Sequence, residues 1–473
     1  MDIFKQGQAV DIPTVLKNRD YRVQVQQKLV GHHAHKTVVA AKLNLPGPIK
    51  NNAQIKQFFI TELQQFEQQL MQQGILFEVA TEWLNAVTGP ERFYLIGEKQ
   101  KFHVKQLTTA FEESTPARRL FDLDVLILKE QQVQSISRTE LNLPVRKCLI
   151  CNRNAKECGR ARTHSLAELQ RKVSQLIVET LVTTEKKQTA VQLAQLGLQA
   201  MLDEVTVWPK PGLVDPVEHA AHPDMDHFLF IKSALTLEPY LQKCAMAGLN
   251  YPGNDFPALF QELRTLGKRA EQAMLTATAG INTHKGAVFS LGIMTAAVGI
   301  ALQHKQLTND NLQRIVRQML VNLMENDFTQ MSTKLSAGQK QYLQYQLGGV
   351  RAEASQGYPT VFDYGLKTLR ITANLPQNDQ NIITLMQLAR HADDSTLIKR
   401  AGNPAILKWK NQQIDRYFEL GASVTDEGRR FLLTLQTEFA KRHLSLGGSA
   451  DLLILTIFID KAERTFKDGL YYK

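Results

Sequence analysis

Apolar residues recur at three- and four-residue steps along most of the chain, and short apolar runs of another kind are confined to its beginning. In segment 54–73, Ile55, Phe58, Phe59, Leu63, Phe66 and Leu70 fall on one side of a helical period, which predicts an amphipathic helix ended by Gly74. Stretches 75–80, 92–97 and 123–128 are short, apolar and β-prone, with Gly89-Pro90 and charged links between them, and they predict a small sheet. Leu166, Leu169, Val173, Leu176, Ile177 and Leu181 mark a helix that ends in the polar run Thr183 to Thr189, and a second restarts at Val191, Ala194, Leu198, Met201, Leu202 and Val205. From there the pattern is helical, with polar turns between apolar stripes. The reading is a multidomain chain: an N-terminal α+β domain with a small sheet over 1–185, and an all-α domain over 186–473.

Length agrees with two or three domains, since 473 residues exceed one ordinary core. The formal charge of +10 is shared by both halves: residues 1–185 hold 25 Lys/Arg against 19 Asp/Glu, and the remainder 31 against 27. A basic surface favours polyanionic ligands such as nucleotides or CoA, an acidic protein partner, or nucleic acid. The start, MDIFKQGQAVD, lacks the basic-then-apolar layout of a signal peptide, so a cytoplasmic location is expected. The nearly uncharged run 286–303 approaches the length of a membrane span, yet its Gly, Ser, Thr and Gln residues favour a buried core helix, and no membrane partner is expected.

Candidate chemistry begins at Arg118-Arg119-Leu120-Phe121-Asp122-Leu123-Asp124-Val125. On a strand Asp122 and Asp124 share one face, where two carboxylates can hold Mg²⁺ bound to a phosphate substrate; a solvated strand face has the same pattern. Asn44 to Lys50 is a rigid loop ending in a charge. Next comes Cys148-x2-Cys151-x6-Cys158-x5-His164, in a segment with nine basic and three acidic residues from Arg138 to Lys172. Three thiolates and an imidazole can complete a Zn²⁺ site, and reduced structural thiols are the alternative. Together, Arg19-Asp20-x-Arg22, NLPGPIK, RLFDLDV and CLICNRNAKECGRARTH resemble apo-citrate lyase phosphoribosyl-dephospho-CoA transferase across nearly all of 1–180. The resemblance implies attachment of a phosphoribosyl-dephospho-CoA group to a serine of the citrate lyase acyl-carrier subunit, with release of pyrophosphate. It also implies Lys50, Arg118 and Arg119 as phosphate grips, Asp122 and Asp124 as catalytic metal-placing carboxylates, and the basic 138–172 segment as a dock for the carrier.

In the second half the chemistry sits in turns. Gly280-Ile281-Asn282-Thr283-His284-Lys285-Gly286 runs into an apolar helix, and such an N-terminus can hold an anion. Other polar turns are Glu204 to Asp215 with its Pro209-Lys210-Pro211, the His222, Asp224, Met225, Asp226 group, Gly348 to Ala354, Asp393 to Gly402, and Leu446 to Asp451. Any one of them reads equally as a helix cap. Taken with NTHKG, they resemble triphosphoribosyl-dephospho-CoA synthase over 190–465. The departures are Leu446, where that family has proline, and Asp393-Asp394-Ser395-Thr396, where it has a shorter Asp-Thr pair. The resemblance implies that ATP and 3′-dephospho-CoA are joined between the ribose C1 and a 2′-hydroxyl, with adenine expelled. No Walker A sequence is present, as suits a triphosphate that is kept whole.

The roles that follow put Lys210, His284, Lys285 and Arg351 on phosphates, Asp224 and Asp451 on Mg²⁺ or as base, and Glu204 or Glu353 in an acid/base pair. Asp215, His222, Arg400, Gly447, Gly448 and Ser449 complete the substrate-binding set. Two other readings are the equivalent pathway of malonate decarboxylase, separable by incubation with each apo-carrier, and a basic zinc-containing nucleic-acid-binding protein. Against the second, the chain has no aromatic-rich basic stripe, and nucleic acid is not an expected partner.

Overall fold

The computed structural model describes residues 2–33, 35–97, 101–129, 132–151, 153–218, 222–253, 255–323 and 349–467. Gly348, in one of the predicted turns, lies outside them. The chain divides into two compact units between Thr184 and Glu185. The described residues are mostly helical, with one small antiparallel sheet among them.

In the first unit the five strands are β1 (Thr37–Leu43), β2 (Phe77–Glu82), β3 (Glu91–Ile96), β4 (Phe121–Lys129) and β5 (Gln132–Ser135), in the order β2-β3-β1-β4-β5. Alternation sorts their side chains into two layers. Val39, Ala41, Tyr94, Ile96, Leu123 and Val125 meet Phe58, Phe59 and Phe66 of α2 (Ala53–Gln72) and Phe111 of α3 (Lys101–Glu113). Val38, Ala40, Phe93, Leu95 and Leu126 meet Val30 of α1 (Ile12–His32). The Asn52 side chain caps α2 by accepting from the Ile55 N–H at 2.9 Å. The sequence pattern misses β1 and β5 for opposite reasons. Strand β1 is buried on both faces and shows no alternation, whereas β5 is a polar edge strand.

Past α4 (Ala155–Arg160), α5 (Leu166–Val205) is one helix of 40 residues, where two were expected. The polar run from Thr183 to Thr189 contains neither Gly nor Pro, so nothing in it breaks the backbone ladder, and the Thr183 hydroxyl returns a bond to the Glu179 carbonyl at 2.7 Å.

The second unit is helical throughout its described residues: α6 (His227–Leu249), α7 (Phe256–Ala277), α8 (Lys285–Gln303), α9 (Asn309–Met319), α10 (Gly349–Ser355), α11 (Leu366–Ile371), α12 (Gln377–His391), α13 (Ser395–Ala401), α14 (Ile406–Glu419), α15 (Asp426–Lys441) and α16 (Gly447–Thr465). Helix α8 is the axis, packed by α6, α7, α9 and α16. It is long and apolar enough to cross a membrane, yet 83% of its apolar window is buried within the unit, so its composition is that of a core helix. At the α6–α8 crossing the backbones touch: a Cβ on Gly248 would lie 2.2 Å from the Ala296 carbonyl oxygen.

Candidate functional site

The turns between these helices converge on a cavity of about 620 Å³ at the N-terminal end of α8. Its wall is made by Glu204 at the end of α5, Lys210, His222, His284 to Gly286, Gly349 to Arg351, and Gly447, Gly448 and Asp451 at the start of α16.

The floor is electrostatically tight. Lys210, 1% exposed, donates from Nζ to the Glu204 carboxylate at 2.6 Å and to the Glu204 carbonyl at 2.8 Å. This lysine was expected on phosphate and Glu204 in an acid/base pair; the two are instead paired with each other inside the protein. Asp451 accepts the Ala287 N–H at the positive end of α8. It lies so close to Gly286 that a Cβ there would sit 1.7 Å from Oδ2, which is why that position has no side chain. Burial, then the charges of Glu204 and Asp394, push the Asp451 carboxyl well above the usual aspartate range. The cavity thus holds a carboxylate with unusually high proton affinity.

His284, expected on phosphate, lines the same cavity. Burial, with the Lys210 charge beside it, lowers its pKa to about 3, so it is neutral and cannot act as a cation. Its Nδ1 shares a 2.8 Å bond with Ser233 Oγ, which itself accepts from the Thr283 hydroxyl at 2.7 Å, while Nε2 is buried with no partner. Donation along Thr283, Ser233 and Nδ1 leaves the proton on Nε2, a donor for a bound ligand. An imidazole that refuses a proton when folded and accepts one when unfolded destabilises the unit as pH falls from about 6.5 towards about 3. Between about pH 6.5 and about pH 5 this amounts to about 2 kcal/mol. A urea titration at both pH values is expected to show that loss, and His284→Gln is expected to flatten it; equal slopes in the two proteins would refute the assignment.

The remaining predicted residues fall into groups. Lys285 lines the cavity and pairs with Glu271 of α7. His222 accepts from the exposed Arg400 at Nδ1 (3.3 Å) and lies 3.2 Å from Ser445 through Nε2, so Arg400 reaches the cavity through this imidazole. Asp394 is the buried member of its aspartate pair. One oxygen caps α13 at the Thr396 and Leu397 N–H groups, and the other accepts from Ser449 N and Oγ at 2.9 Å, which binds the two turns together. Ser449 is therefore a brace. Asp215 accepts from the Val217 and Glu218 N–H groups and from Gln436, also away from the cavity wall. Glu353, its pKa raised by burial, accepts from Thr360 N at 2.7 Å, and Asp224 is exposed; neither lines the cavity.

Sequence reasoning missed Arg264, Lys268 and Glu271 of α7, which form one side of the cavity. Their three- and four-residue spacing is the only signal, and a solvated helix face gives the same one.

In the first unit Asp122 and Asp124 do share a sheet face, with Lys42 of β1 facing them. The Lys42 ammonium lies 3.1 Å from Asp122 and 3.8 Å from Asp124, so the pair already surrounds a cation and does not form an open Mg²⁺ site. Burial opposes both charges. At Asp122 the Lys42 and Arg146 cations outweigh it and lower the pKa, whereas at Asp124 burial and the Asp122 charge raise it. Glu91 of β3, opposite Lys42, accepts from Asn18 at 2.9 Å and lies 3.7 Å from Arg22, so α1 joins the same cluster. Arg118, Arg119 and Lys50, expected on phosphate, are engaged within the protein. Arg118 donates to Glu62 and covers the Phe111 ring, Arg119 donates to the carbonyls of Lys147 and Cys148, and Lys50 donates to the Leu45 carbonyl. The thiols of Cys148, Cys151 and Cys158 and the His164 ring stand together, with potential ligand atoms within 4.8 Å of one another.

The family model described as ATP:dephospho-CoA triphosphoribosyl transferase (CitG) matches residues 190–469, and that described as apo-citrate lyase phosphoribosyl-dephospho-CoA transferase (CitX) matches residues 10–180. "Protein CitXG" of Leuconostoc mesenteroides subsp. cremoris is 40% identical over 468 residues, covering 97% of this chain and 98% of its own, and "Protein CitXG" of Haemophilus influenzae is 30% identical over 475 residues, 96% of each. A "Probable 2-(5''-triphosphoribosyl)-3'-dephosphocoenzyme-A synthase" of Lactiplantibacillus plantarum is 48% identical over 267 residues, 56% of this chain and 94% of its own. Matched by both models in this order, and by relatives along nearly its whole length, the chain belongs to the family of fused CitX–CitG proteins, bifunctional transferases of citrate lyase maturation.

Proposed function

We propose that the second unit joins ATP to 3′-dephospho-CoA at the cavity beside the start of α8, and that the first unit transfers the product's phosphoribosyl-dephospho-CoA group to a serine of the citrate lyase acyl-carrier subunit. The observation that carries the first half is Asp451, a carboxylate of raised proton affinity set on a helix N-terminus in a cavity bordered by Arg264, Lys268, Lys285 and Arg351. Asp451 takes the proton of the dephospho-CoA 2′-hydroxyl as the new C–O bond forms at the ribose C1. The C1–N bond breaks and its electron pair leaves with adenine; the His284 Nε2–H supplies a hydrogen bond to the departing base, which takes up the proton released from the 2′-hydroxyl and so returns Asp451 to its carboxylate form. The basic residues and the α8 N-terminus receive the triphosphate, which stays intact. Mg²⁺ belongs here as the counter-ion the triphosphate brings, held by phosphate oxygens. Cavity volume supports the reading, because about 620 Å³ is within the range of small-molecule sites.

In the first unit Asp124 is the proposed base for the carrier serine, with pyrophosphate leaving. Its side chain is 27% exposed, within reach of a protein substrate, and burial with the Asp122 charge raises its proton affinity while Lys42 works against them. Asp124→Asn is expected to lower carrier modification, followed by intact mass, about a hundredfold or more, with adenine release unchanged. Full carrier modification by the variant would remove this role.

A further inference from the structure

We propose that Cys148, Cys151, Cys158 and His164 bind one zinc ion, and that this ion holds the arginine-bearing segment 146–164 against the start of β4.

The geometry fits the ion. A tetrahedral site with Zn–S bonds of about 2.3 Å has sulfur atoms about 3.8 Å apart, and Cys151 Sγ and Cys158 Sγ are 3.8 Å apart. That separation is far beyond a disulfide bond of about 2.05 Å, and all four cysteines of the chain are free thiols. His164 Nε2 is buried with no hydrogen-bond partner, a position a metal ion would satisfy. The Ile150 N–H points to Cys148 Sγ at 3.4 Å, as suits a charged thiolate.

The local fold points the same way. Cys148 and Cys151 lie on a short hairpin closed by the Lys147–Asn154 bridge and the 2.8 Å bond from Cys148 N to the Arg153 carbonyl. Cys158 is on α4, whose first turn is capped by Asn154. Among the described residues from Arg146 to His164, only Cys158 is buried. With so little apolar burial of its own, such a segment folds on a cross-link or a metal. Four protein ligands leave no open coordination position, so the site is structural and takes no part in the chemistry.

What the ion positions is visible in the segment's contacts. Arg119 donates to the carbonyls of Lys147 and Cys148 at the base of the hairpin. Arg146 donates to the Phe121 carbonyl at 2.7 Å and pairs with Glu112 at 2.5 Å, which sets a guanidinium one residue from Asp122. The zinc site thereby supports the start of β4, the strand that carries the carboxylate pair.

The test uses the full chain, reduced, stripped with a chelator and reloaded with Zn²⁺ or Co²⁺. One zinc per chain is expected after gel filtration. Cobalt is expected to give the visible spectrum of a tetrahedral site with thiolate-to-metal charge transfer. Cys151→Ser and His164→Asn are each expected to lose the zinc and to be cleaved faster by protease within 140–165, while Cys244→Ser keeps it and adenine release by the second unit is unchanged in all three. Failure to retain zinc in the reloaded chain, a six-coordinate cobalt spectrum, or recovery of Cys151 and Cys158 as a disulfide from reducing buffer would overturn the proposal. None of these results depends on the proposed transferase chemistry, whose failure would appear instead as absent adenine release with zinc still bound.

Discussion

Asp451→Asn is expected to lower adenine release by about 10²–10⁴-fold, the usual contribution of a positioned base, while leaving the second unit folded. Asparagine keeps the shape and the contact with Gly286 but cannot accept a proton. The stability consequence has a definite sign. The folded pKa is raised above the usual 3.8, so ionising this carboxyl destabilises the folded state: the contribution is fully present at low pH and is lost as pH rises through the folded pKa. The variant is therefore expected to be at least as stable as the parent at neutral pH. In the parent, the rate of adenine release rises with pH as Asp451 ionises, and in the variant this rising limb disappears. A variant that keeps the limb and most of its activity would place the base elsewhere.

Lys210→Met is expected to carry the largest stability effect. Lys210 and Glu204 are 1% and 3% exposed, and Nζ is 2.6 Å from the carboxylate, so removing the cation leaves a buried charge without its partner. Breaking such a pair costs about 3–5 kcal/mol. The double variant Lys210→Met, Glu204→Gln is expected to recover part of that loss, because it removes the stranded charge. Urea unfolding of the second unit measures both, and a single variant within about 1 kcal/mol of the parent would show that the pair is not isolated from water. Loss of Lys210 also removes the cation that helps keep His284 neutral, so the pH dependence at that histidine is expected to weaken in the same protein.

The sequence is informative where local patterning and tertiary demand coincide. The glycine-bounded turn ahead of α8 and the apolar run behind it read as a helix start entering a core, and the structure has a buried helix there. Asp122 and Asp124, two apart, lie on one sheet face because strand geometry leaves no alternative. Partners distant in sequence are not legible in this way. Nothing near Asp122 announces that Lys42, 80 residues earlier, will fill the space between the carboxylates. The pairing of Lys210 is set only when the loop after α5 folds back on Glu204. Arg264 and Lys268 escape notice because a polar helix face has one pattern whether it meets water or a cavity. The seam near residue 185 is visible as a polar run, yet the helix continues through it because polarity alone does not end a helix.

The most direct measurement combines the purified chain with ATP, dephospho-CoA and Mg²⁺, separates the nucleotides by chromatography and weighs the coupled product. Free adenine in a one-to-one ratio with a product that retains all three phosphates is the expected result, formed about 10²–10⁴-fold more slowly by Asp451→Asn. ADP or AMP appearing without free nucleobase would contradict the account.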